Sequence, residues 1–158
     1  MRIPGILLFP LLLVSCTALP PVRSFFAGDG VVQHFISPTN WNARGSSALL
    51  DITYRTRTDD PAIINISFFG NRSTPQNVSS VSLHGTGVDY HLENISVILV
   101  RPAENELRIT STGDRDGLLH LLNSENITLR AEIDGVIFIH TPGRNFDRSR
   151  TYFLAALF

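Results

Sequence analysis

The stretch that decides the fold is Ile127-Thr128-Leu129-Arg130-Ala131-Glu132-Ile133-Asp134-Gly135-Val136-Ile137-Phe138-Ile139-His140. In an extended chain successive side chains point to opposite faces. Ile127, Leu129, Ala131 and Ile133 therefore share one face, and Thr128, Arg130, Glu132 and Asp134 the other. Asp134-Gly135 suits the two positive-φ positions of a tight hairpin turn, so Val136 to His140 returns antiparallel beside its neighbour. A hairpin with one apolar face must bury it against something else, and the rest of the chain offers more strands.

Leu50, Ile52, Tyr54 and Thr56 alternate with Asp51, Thr53, Arg55 and Arg57; Asp59-Asp60-Pro61 reads as a turn, and Ile64, Ile66 and Phe68 share a face of the returning strand. Val31 to Ile36 reads as an edge strand ended by Ser37-Pro38. Val78 to Leu83 is another, broken by His84-Gly85-Thr86-Gly87. Tyr90 to Val100 is the longest, stopped by Pro102, and Leu107 to Thr112 alternates again.

Two segments carry helical spacing instead. Asp114 or Asp116 caps a short helix near 114–123 whose Leu118, Leu121 and Leu122 share a face, with Asn123 at its end. Over 147–157, Arg150, Phe153, Leu154 and Leu157 continue a helical face from Phe146, although Thr151-Tyr152-Phe153 also suits a strand. The reading favours helix. The expectation is a mainly β protein: an antiparallel β-sandwich of seven or eight strands, with one or two short helices covering an open end or an edge.

Composition narrows the chemistry. The 158 residues carry 13 basic and 14 acidic side chains, so there is no basic field of the kind nucleic acid requires. Every basic residue is arginine; Schiff-base and P-loop lysine chemistry is excluded. The single cysteine, Cys16, excludes an intrachain disulfide and a cysteine-built metal site.

The N-terminus has its own logic. Arg2 precedes an apolar run of nine residues, Ile6 to Val14, interrupted by Pro10. As a helix it would span about 14 Å, far short of the roughly 30 Å hydrocarbon core, but the right length for a signal-peptide core. Leu13-Val14-Ser15-Cys16 follows and resembles the lipobox of bacterial lipoproteins, in the looser form found in spirochaetes. The resemblance covers the N-terminus alone. It implies a signal peptide over 1–15 removed before Cys16, a diacylglyceryl group on Cys16, and export to the cell membrane or outer membrane, where the lipid holds the chain. The other reading of this segment is an ordinary signal peptide cut after Ala18. Residues 16–24, with Pro20-Pro21 favouring extended geometry, then form a tether to a single domain over 25–158.

No catalytic template is met. Gly-x-Ser-x-Gly is absent, Ser-x-x-Lys lacks its lysine, and no free thiol would remain after lipidation. The histidines, His34, His84, His91, His120 and His140, show no H-x-H or H-x-x-x-H spacing. His84 and His91 flank one loop and could meet Asp89 at a metal, although scattered surface polarity explains them as well. Asp114-Arg115-Asp116-Gly117 lacks the later ligands of a calcium loop and reads as a helix cap. Trp41, between Asn40 and Asn42, is the candidate exposed anchor for a partner. Asn65, Asn71, Asn77, Asn94 and Asn126 begin Asn-x-Ser/Thr triplets, which arise readily on polar strand faces and turns.

These features lead to a membrane-anchored envelope lipoprotein whose domain is a non-enzymatic binding module, without cofactor and with a protein partner unspecified. Two alternatives stand beside it. One is an enzyme or metal-dependent site built from spatially convergent His and Asp residues. The other is a secreted N-glycosylated protein of eukaryotic or viral origin.

Overall fold

The computed structural model describes residues 20–56 and 59–157; Cys16 and the lipobox lie outside them. The deciding hairpin forms as its pattern dictates. Strands β9 (Thr128–Ile133) and β10 (Val136–Pro142) pair antiparallel, with Val136 opposite Ile133 and His140 opposite Leu129. Asp134 and Gly135 both take positive φ, 51° and 78°, in the turn between them.

The other strands are β1 (Val22–Gly28), β2 (Val31–Ala43), β3 (Ser46–Arg55), β4 (Ala62–Gly70), β5 (Val78–Gly85), β6 (Val88–His91), β7 (Glu93–Arg101) and β8 (Glu106–Gly113). All pairings are antiparallel, in the order β6-β5-β9-β10-β2-β3-β4-β8-β7, with β1 paired to the first half of β2. The ladder bends round into a nearly closed, barrel-like sheet of the mainly β class. β6 and β7 stand at its two ends, and a single residue, Leu92, joins them. Leu92 still donates its N–H to the Val81 carbonyl beside β6, at 3.1 Å. Glu93 already pairs with Thr112 of β8, and Asn94, at φ 51°, lies in the register shift that follows. The continuous strand expected over 90–100 is thus two strands, divided at a corner.

Strand β2 also departs from expectation. It is no edge: it runs 13 residues and pairs with β1, β10 and β3. Pro38 has no N–H to give, and the register shift between Ile36 and Thr39 absorbs it as a bulge. β1 takes in Val22, Arg23 and Ser24, which the sequence alone assigns to the tether.

The core lies inside the bend. Ile36, Leu50, Ile64, Ile66 and Ile109 face Leu83, Leu129 and Ala131, all at most 2% exposed. Each of these Ile and Leu side chains contributes about 1.5–3 kcal/mol by leaving water. Helix α1 (Arg115–Asn123) adds Leu118, Leu121 and Leu122, and Asp114 caps it by accepting the Gly117 N–H at 2.6 Å. Tyr90 packs over this corner: its ring occupies the space a side chain at Gly113 would need, and its hydroxyl donates to the Asp114 carbonyl at 2.9 Å. Helix α2 (Arg144–Leu157) confirms the helical reading of the C-terminal segment. Its Phe146 stacks edge-on against Trp41 and its Phe153 against Tyr54, with centroids 4.7 and 5.5 Å apart. Arg150 donates to the Ser124 carbonyl at 2.7 Å, tying α2 to the end of α1.

Candidate functional site

Two places combine access with chemistry, and the first is the β5–β6 hairpin. Because β5 alternates, Val81 and Leu83 face inward while Ser82 and His84 face outward. The turn at Thr86-Gly87 returns the chain so that Asp89 lies opposite His84 and His91 opposite Ser82. Asp89 Oδ1 meets His84 Nδ1 at 2.6 Å, and Ser82 Oγ meets His84 Nε2 at 2.7 Å. The His91 ring stands edge-on to His84 with centroids 6.4 Å apart.

The structure therefore brings His84, Asp89 and His91 together, on an outer sheet face. It does not shape them as a metal centre. Both ring nitrogens of His84 already have partners, and among the described residues no group of three or more His, Cys, Asp and Glu is arranged to hold a metal ion. Ser82 joins them, a residue the sequence alone does not single out. Its signal was there: a serine two residues before a histidine on a strand, with an aspartate just beyond a short turn.

The second place is a cleft of about 570 Å³ at the end of the barrel carrying the β2–β3, β4–β5 and β9–β10 turns. Its apolar side is formed by Pro75, Ile133, Val136 and Phe138, and Arg44 and Arg72 line it as well. On its β2 side, β10 pairs only through Thr141 and Pro142. Among the described residues no strand lies beside the first half of β10 there, and Val136 and Phe138 of that half line the cleft. Asp134 is the one acid in the lining, and its carboxylate accepts the backbone N–H groups of Gln76 and Asn77 at 2.8–3.2 Å. Neither Arg44 nor Arg72 has an ion-pair partner among the described residues.

Trp41 corrects the expectation of an exposed anchor. It is fully buried, and its indole N–H donates to Thr39 Oγ1 at 3.1 Å. Asn40 and Asn42 point out while Thr39 and Trp41 point in, a period of two that the bulge before Thr39 sets in phase. The large exposed apolar side chains are elsewhere, among them Phe26 at 74% and Ile139 at 60%.

The remaining histidines divide by environment. His120 is exposed on α1. His34 and His140 are buried, and burial pushes both imidazoles below their ordinary pKa; the Leu129 backbone partly opposes this at His140. Of the Asn-x-Ser/Thr asparagines, Asn65 is half-buried and donates to Asp51 at 2.8 Å, whereas Asn71, Asn77, Asn94 and Asn126 are exposed.

Comparison with protein-family models, with curated proteins and with solved structures returned no match. The class defined by the coordinates is a mainly β, barrel-like antiparallel domain with two covering helices.

Proposed function

We propose that the protein is a membrane-anchored envelope lipoprotein, held by lipid on Cys16, whose domain binds an extended acidic segment of a partner protein. The cleft beside β10 carries this reading. Its size falls within the range of ligand sites. Among the described residues the β10 backbone is left open and offers the hydrogen-bonding edge that an added strand uses, the apolar wall accepts alternate side chains, and two guanidinium groups without an ion-pair partner there favour carboxylates. The anchor rests on the signal-like N-terminus and its lipobox. Among the described residues no helix is long and apolar enough to cross a membrane.

The binding half is tested by fluorescence anisotropy on the full chain in detergent, with a labelled alternating Glu/Val peptide and its Lys/Val counterpart. The acidic peptide is expected to bind, more weakly as salt rises, and Arg44→Glu with Arg72→Glu abolishes the signal. Equal binding of both peptides, or of neither, overturns it. The anchoring half is tested by radiolabelled palmitate in the native host. Wild type takes up label and Cys16→Ala does not; an unlabelled wild type ends that half.

A further inference from the structure

We infer that Ser82, His84 and Asp89 form a nucleophilic relay able to cleave carboxylic esters, on the face of the hairpin and away from the cleft. This activity does not depend on the binding reading.

The protonation pattern follows from the geometry. An ionised carboxylate only accepts hydrogen bonds. Asp89 Oδ1, 2.6 Å from His84 Nδ1, therefore fixes the neutral ring with its proton on Nδ1. Nε2 is left with its lone pair, and the group 2.7 Å away is the Ser82 hydroxyl, which must donate. The serine proton is thus aimed at a base whose tautomer is set by an acid, the connectivity that activates a serine for acyl transfer. Ser82 is only 5% exposed, which holds its rotamer, while the side chains of His84 and Asp89 are 32% and 72% exposed.

The neighbours complete the site. Arg130 on β9 lies directly across the ladder from Ser82, and it is exposed, with no ion-pair partner among the described residues. A cation beside the attacked carbonyl stabilises the developing oxyanion and favours esters that carry a negative charge. In the reaction Ser82 Oγ attacks the carbonyl carbon and its proton passes to His84 Nε2. The ester C–O bond breaks, and the departing alcohol takes that proton. Water then repeats the sequence on the acyl-serine, releasing the carboxylic acid and restoring Ser82. Asp89 acts as a positioning residue throughout.

The test is labelling of the full chain in detergent by a fluorophosphonate dye, with the modified residue located by mass spectrometry and folding checked by circular dichroism. Ser82 displaces fluoride from phosphorus, and the serine proton leaves with it. The expected result is label on Ser82, none in Ser82→Ala, and a rate lower by roughly 10²–10⁴-fold in His84→Gln. Asp89→Asn lowers the rate and Asp89→Glu restores part of it, which a purely structural role would not produce. Arg130→Gln lowers it about tenfold, a modest figure because solvent screens an exposed charge. His120→Gln, at an exposed position of α1 outside this cluster, is the folded control at wild-type rate. An unlabelled wild type, label on another serine, or an unchanged rate in His84→Gln overturns the proposal. If His84→Gln does not fold, the Asp89 pair decides, and equal rates for the two refute the relay.

Discussion

Arg108 donates to Asp51 at 2.6 Å across the outer face of β3, β4 and β8, and the Asp51 side chain is only 1% exposed. The same guanidinium donates to Ser67 Oγ at 2.9 Å, and Asn65 donates to the other Asp51 oxygen. Arg108 closes over a carboxylate that would otherwise sit desolvated among strand side chains. Replacing it removes the cover and the counter-charge together.

The first prediction concerns that pair. Removing one partner of a buried ion pair leaves an uncompensated charge, at a cost of about 3 kcal/mol. Arg108→Met should therefore lower the melting temperature by roughly 6–12 °C, since each kcal/mol is worth about 2–4 °C at this size. Arg108→Met combined with Asp51→Leu should recover much of the loss, because no charge is then stranded. A differential scanning calorimetry trace of the single and double variants decides the matter; equal melting temperatures for wild type and Arg108→Met would refute it.

The second prediction concerns α2. Phe153 has no exposed surface and lies edge-on to both Tyr54 and His34, with centroids 5.5 and 6.1 Å away. Phe153→Ala leaves a cavity between helix and sheet, and large-to-small changes of this kind cost about 3–5 kcal/mol. Tyr152, one residue earlier and about 100° round the helix, is 52% exposed and is the contrast. Tyr152→Ala should shift the urea midpoint little, and Phe153→Ala substantially.

What the sequence disclosed and what it hid follow from the range of the interactions. The β9–β10 hairpin and the capped helix with Leu118, Leu121 and Leu122 inward are local patterns, and both form as read. The corner at Leu92 is not local. Tyr90 to Val100 is uniformly strand-like, and the break arises because Leu92 stays hydrogen-bonded to Val81 while Glu93 joins β8. The polar neighbours of Trp41 suggest a polar environment, but on a strand they mark the opposite face. The Ser82–His84 spacing is local and legible, whereas the register is needed to show that Asp89 meets His84 across the turn.

The third prediction is a pH dependence. Burial lowers the pKa of His140 and of His34 in the folded protein below the ordinary 6.5. Between that value and the folded one, the unfolded chain binds more protons, so stability rises with pH there. The contribution is complete above the unfolded value and declines as pH falls through about 6.5, levelling off once the folded groups also protonate. Thermal melts from mildly alkaline to mildly acidic pH should show this fall. A His140→Gln variant, less stable throughout, should show a shallower slope; an unchanged slope would remove His140 from the account.

The fourth prediction connects the hairpin turn to the cleft. Asp134 holds the start of the 76–77 segment by accepting the Gln76 and Asn77 N–H groups, while the Asn77 carbonyl accepts the Asp134 N–H at 3.0 Å. It also takes φ 51°, a conformation that Asn tolerates and Ala does not. Asp134→Ala thus loses the turn preference and both N–H acceptances, whereas Asp134→Asn keeps the turn, and its amide oxygen still accepts at neutral strength. The expected costs are about 2 kcal/mol for Ala and under about 1 kcal/mol for Asn. Because the neighbouring Arg72, Ser73 and Pro75 form one wall of the cleft, hydrogen exchange over 71–77 should accelerate in Asp134→Ala at temperatures where the core stays protected. Affinity for the acidic peptide should fall below that of Asp134→Asn, which removes the same charge but keeps the wall ordered. Faster exchange with affinity equal to that of Asp134→Asn would show that this wall takes no part in recognition and would move the binding surface to the β10 edge alone.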